Sequence, residues 1–185
     1  MGNFVNIGGM SLNGYERNNL FRNEDGKRFV DVGYLEAVDR IEDGRGVVAL
    51  DFDVDGDLDL VVENYLQPVR LLVNNTASKD RPSNHWLELK LVGRGPGGGS
   101  NRSAVGARAT VRSGGKSCAR EVVTAGGYLS GFSKILHFGV GGASLIDEVE
   151  IRWPSGRKQV LRDIAIDRRH TIQEPEAPPI AATTH

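Results

Sequence analysis

The chain of 185 residues has a single cysteine, Cys118, so no internal disulfide can staple it and cysteine usage does not reveal its redox compartment. No stretch approaches the roughly 18 apolar residues that a membrane-crossing helix requires. The opening MGNFVNIGGMSLNGYERNN lacks both the basic and the apolar regions of a secretion signal. Asn6 stands where a myristoylation signal needs Ser or Thr, so no lipid anchor is expected. Apolar residues at helical spacing are scarce, which leaves little room for helices. The arginines of the second half are spread at strand-like intervals with no aromatic platforms between them, and this argues against nucleic-acid binding.

What is present is charge, divided unevenly. Residues 1–84 carry 9 Lys and Arg against 15 Asp and Glu, a balance of −6, whereas residues 85–174 carry 14 against 8, a balance of +6. Five of the N-terminal carboxylates fall within nine residues, in the stretch DFDVDGDLD from Asp51 to Asp59. Carboxylates so close together raise one another's pKa unless something positive sits among them.

Twenty-four glycines and many short alternating runs predict an all-β protein. In the first part, NLFRNEDGKRFVDV reads as two strands around a turn at NEDG. RGVVALDF enters the acidic loop, LDLVVENY leaves it, and VRLLVNN follows, an antiparallel unit about the size of a propeller blade. NTASKDRPSN, residues 75–84, is the expected connector. Beyond it come HWLELKLVG, the glycine-rich loop GRGPGGGSNRSA, a hairpin around GGK, the strand KILHFGVG, a hairpin around PSGR and the closing RHTIQE, read together as a β-sandwich or small barrel. The division is residues 1–79 for the blade unit, 80–174 for the second β domain and 175–185 for a disordered tail.

The acidic stretch has the chemistry of a calcium loop. Calcium takes six to eight oxygens, and carboxylates at every second position with a glycine at the bend can supply them. Asp51, Asp53 and Asp55 occupy positions one, three and five, Gly56 position six, Asp57 offers its carbonyl at seven, and Asp59 closes the cage at nine. Val62 stands where an EF-hand needs its bidentate glutamate, and strand rather than helix follows, so this is a strand-to-strand loop. Phe52, Val54, Leu58 and Leu60 are expected to turn away from the metal into the sheet. Magnesium suits so flexible a set of ligands less well.

These residues resemble known families. GVVALDFDVDGDLDLVVEN with VRLLVNN resembles an FG-GAP or VCBS repeat, the calcium-loop blade unit of integrin-type propellers, and NNLFRNEDGKRFVDV resembles the segment between blades. NRSAVGARATV, GGYLSGFSKILHFGVG, VEIRWPSG and HTIQE are similar to the ASPIC/UnbV domain of the cartilage acidic protein-like family. The resemblance implies calcium ligands at Asp51, Asp53, Asp55, Asp57 and Asp59, no catalytic residue in the second domain, and an extracellular or periplasmic location. A propeller needs four or more blades. Either the chain belongs to something longer, or the blade docks on the second domain with apolar contact across the connector.

Other candidates read as structural. His85, His137 and His170 lack partners at metal spacing. Ser130 lacks the setting of a nucleophile elbow, and Cys118 sits in a strand as a small buried hydrophobe. GRGPGGGS lacks the Lys-Ser/Thr end of a phosphate loop, and Trp86 and Trp153 read as core. The functional expectation is a non-enzymatic, calcium-stabilised adhesion or ligand-binding module for a protein or polysaccharide partner. The alternative is an enzyme, or an accessory domain of one, that binds substrate through the metal. Neither the partner nor the oligomeric state is legible.

Overall fold

A computed structural model describes residues 16–75, 84–128 and 130–176. Among them every regular element is a strand, in the order β1 (Glu16–Arg17), β2 (Phe21–Glu24), β3 (Arg28–Asp31), β4 (Ile41–Glu42), β5 (Gly44–Leu50), β6 (Asp59–Asn64) and β7 (Arg70–Leu72). β2 and β3 form the hairpin expected around NEDG. Asp25 and Gly26 take φ of 54° and 71° there, the left-handed pair that a tight hairpin loop requires, and the Asn23 side chain accepts the Gly26 N–H at 2.8 Å. β5, β6 and β7 make one antiparallel sheet, and the acidic loop joins the first two.

The second unit holds β8 (His85–Val92), β9 (Arg108–Ser113), β10 (Lys116–Glu121), β11 (Ala125–Gly127), β12 (Ser130–Gly131), β13 (Ile135–Gly141), β14 (Glu148–Arg152), β15 (Lys158–Leu161) and β16 (Arg168–Gln173). Two sheets carry it, one ordered β10-β9-β14-β15 and the other β13-β8-β16. Their apolar residues form one buried cluster: Leu87, Leu89 and Leu91 of β8 and Phe138 of β13 with Ala109, Val111, Val149 and Ile151 of the other sheet. A shared core between two sheets is the layering of a sandwich. Among the described residues no sheet closes into a barrel, so of the two expected forms the sandwich-like one holds. β16 runs parallel to β8, in an otherwise antiparallel set of strand pairs.

Two structural expectations change. Cys118 is exposed. It lies on β10, the edge strand of its sheet, where every residue is exposed because no element covers it. Trp153 is core, at 3% exposure, whereas Trp86 is half-buried beside Glu88 on the face of β8 opposite its leucines. Most of the connector (76–83), the first fifteen residues and the last part of the tail (177–185) lie outside the described residues. No helix in the described chain is long and apolar enough to cross a membrane.

Candidate metal centre

β5 ends at Leu50 and β6 begins at Asp59, so the loop must reverse within eight residues. Asp59 fixes that reversal. Its side chain is fully buried, with Oδ2 accepting the Phe52 N–H at 2.7 Å and Oδ1 accepting the Asn74 N–H at 2.8 Å, so one carboxylate ties the loop to the segment just after β7. Gly56 makes the bend at φ 95°, a conformation open to glycine and strained for other residues. Its N–H donates to Asp51 Oδ2 at 3.2 Å, and Asp55 Oδ1 accepts the Asp57 N–H at 2.8 Å.

Asp51, Asp53 and Asp59 converge, with one carboxylate oxygen from each within 4.8 Å of the others. The Asp55 and Asp57 side chains stand outside this group. Asp51 Oδ1 is buried with no hydrogen-bond partner. Burial pushes the Asp51 carboxyl above the usual range, against the hydrogen bonds from the Gly56 and Val54 N–H groups, and the charges of Glu88 and Asp55 push it the same way. A buried carboxylate oxygen without a partner is costly. A hard cation among these three groups removes that cost, and an all-oxygen donor set suits calcium.

The loop's apolar residues do not all turn into the sheet as expected. Phe52 and Val54 are 57% and 73% exposed. Val54 takes φ 63°, so the loop leaves the strand pleat and the alternation no longer maps onto two faces. Leu58 and Leu60 are half-buried.

The loop sits on the second unit. His137 Nε2 lies 2.8 Å from the Gly56 carbonyl oxygen, and the His137 ring stacks on Trp86 with centroids 6.2 Å apart. A β-carbon on Gly56 would fall 1.9 Å from Trp86 Nε1, so only glycine allows this approach. On the same face of the sheet, β8 Glu88 lies opposite both His137 of β13 and Arg169 of β16. Glu88 is 4% exposed and accepts the Arg169 Nε–H at 2.7 Å. Further along, the Val47 N–H donates to Ser130 Oγ at 3.0 Å, and Ser130 Oγ donates to the Tyr128 carbonyl at 3.0 Å. A cleft of about 540 Å³ remains between the units, with Ala49, Leu50, Asp51 and Leu58 on one wall and Glu88, Arg120, Phe132, Leu136, His137 and Arg169 among those opposite. Residues from both sides of the connector thus meet at Gly56 with Trp86 and His137 and at Val47 with Ser130.

Alternation in HWLELKLVG announces two faces for β8 but not what covers the second, so nothing in the sequence marks Glu88 and Arg169, and His137 reads only as structural. Among the described residues the other two histidines are also bonded, His85 Nδ1 at 2.8 Å from Asp167 Oδ2 and His170 Nε2 at 2.8 Å from the Ala165 carbonyl. GRGPGGGS is a structural loop. Glu174, 1% exposed, accepts the N–H groups of Arg94 and Ser100 at 3.0 and 2.7 Å, the hydroxyls of Ser100 and Ser155, and Arg157 at 3.1 Å. Burial alone would raise its pKa, but these bonds outweigh it and hold the carboxyl at about 2.

Comparison with known proteins bears on the second unit most directly. Residues 97–179 match the family described as ASPIC and UnbV. Over 134 residues the chain is 34% identical to cartilage acidic protein 1 of Mus musculus and 33% identical to cartilage acidic protein 1 of Homo sapiens. Each match covers 71% of this chain and 19% of the relative, so the chain spans about a fifth of the length of these curated relatives.

Proposed function

We propose, with the ASPIC and UnbV domain at residues 97–179 as the starting point, that this chain is a non-enzymatic, calcium-binding module for adhesion or ligand binding. The metal holds the β5–β6 loop, and the loop is a blade-type repeat of the FG-GAP or VCBS kind. The observation that carries this reading is Asp51 Oδ1, buried and partnerless beside Asp53 and Asp59. Asp51, Asp53 and Asp59 hold the ion by their side chains, and Asp55 and Asp57 shape the loop around it, Asp57 adding its carbonyl. Calcium supplies positive charge and oxygen coordination and takes no part in bond making.

Binding rather than catalysis is supported by the state of the reactive side chains. Ser130 Oγ is bonded to Val47 and Tyr128, Glu88 to Arg169, and His137 to Gly56, so each is engaged in holding the fold. Calcium-stabilised loops of modest affinity work where calcium is abundant, and this favours a setting outside the cytoplasm with a protein or polysaccharide partner. Thermal melting in chelator against millimolar calcium tests the reading. Calcium should raise Tm, and an unchanged Tm would sink it.

A further inference from the structure

We propose that the cleft beside Asp51 binds the carboxylate of an acidic saccharide, gripped between the loop cation and the Arg120 guanidinium; the inference rests on the calcium reading above. The cation's shell is the first support. Only three side-chain carboxylates converge, among the described residues, against the six to eight oxygens that calcium takes. Both Asp59 oxygens already accept a backbone N–H, and Asp55 Oδ1 accepts that of Asp57. Positions are therefore left for carbonyls, water or a ligand, and Asp51 is the member of the group that lines the cleft.

The far wall supplies the complement. Arg120 is exposed on β10, lines the cleft and makes no ion pair among the described residues. A guanidinium free of partners presents a planar fork matched to a carboxylate. Arg169 faces the same space but is committed to Glu88. Phe132, also on the cleft wall, is 39% exposed, a flat apolar surface for the C–H face of a pyranose, and Ser133 follows it in the lining. Glu121, which also lines the cleft, repels a second anion and accepts sugar hydroxyls, so the site favours one carboxylate set in a polar ring over a uniformly anionic ligand. A volume of about 540 Å³ lies within the range of small-molecule sites.

The test is an amide-resolved NMR titration of the whole chain with D-glucuronate, with D-glucose and N-acetyl-L-glutamate as comparison probes, in calcium and in chelator. In calcium, glucuronate should shift the Arg120, Phe132 and Ser133 signals saturably, and glucose should not. Chelator should abolish the effect. Arg120→Gln should weaken glucuronate about tenfold or more, the loss of one charge-assisted pair, while calcium still raises Tm. No saturable shift with calcium stabilisation intact overturns this inference and leaves the calcium reading standing. Equal shifts with N-acetyl-L-glutamate overturn the saccharide assignment, and binding that persists in chelator overturns the role of the cation. If calcium leaves Tm unchanged, the underlying reading fails and this inference with it.

Discussion

His137 Nε2 sits 2.8 Å from the carbonyl oxygen of Gly56, a residue 81 positions earlier at the bend of the acidic loop. One hydrogen bond thus joins the candidate metal loop to the sandwich. Replacing His137 with Phe keeps an aromatic ring against Trp86 and leaves the Gly56 carbonyl without its donor. The expected loss is about 1–2 kcal/mol of unfolding free energy in urea titrations, with a weaker midpoint for calcium, because an undocked loop must be ordered by the ion itself. An unchanged calcium midpoint would separate docking from metal binding.

Gly56→Ala tests the close approach. A β-carbon there meets Trp86 Nε1 at 1.9 Å and must adopt φ 95°. Strain and overpacking each cost about 1–3 kcal/mol, so the variant should lose at least about 2 kcal/mol by denaturant unfolding. Gly26→Ala is the comparison, since its β-carbon meets nothing within 4 Å at φ 71°. It should suffer from the backbone alone and leave calcium binding intact.

Glu174 sets an acid limit. Its folded pKa of about 2 lies below the ordinary 4.5, so the unfolded chain takes up the proton first. The stabilisation, about 3 kcal/mol for this buried group, is fully present above pH 4.5 and is lost as the pH falls toward 2. Glu174→Gln should flatten that part of a stability-against-pH curve measured by urea unfolding. A wild-type curve with the same slope as the variant's between pH 4.5 and 2 would contradict the assignment.

Cys118 lies exposed on an edge strand. A thiol reagent should modify it in the native protein at a rate close to that of a free thiol, and Cys118→Ser should change stability by less than about 0.5 kcal/mol.

Much of this architecture is legible in the chain. Asp25-Gly26 and Gly114-Gly115 mark their hairpins because turns with positive φ select those residues. Alternation places Leu87, Leu89 and Leu91 on one face of a strand. The acidic stretch announces its own chemistry. Burial of Glu88 and Glu174 is not legible, because a carboxylate is buried only where another segment supplies its donors. Arg169 and Ser155 come from far along the chain. Phe52 and Val54 point outward because the loop departs from the strand pleat, which a period of two does not register. The same limit hid Trp86 and His137 as the seat of the loop, since periodicity names a face and not its occupant.

Calcium titration by isothermal calorimetry, on the wild type and on Asp53→Asn and Asp55→Asn, tests the central claim most directly. Asp53 belongs to the convergent group and Asp55 does not. The wild type should bind one calcium ion per chain, Asp53→Asn should lose most of that affinity, and Asp55→Asn should lose less. No saturable heat in the wild type, together with a Tm that is the same in calcium and in chelator, would contradict the account.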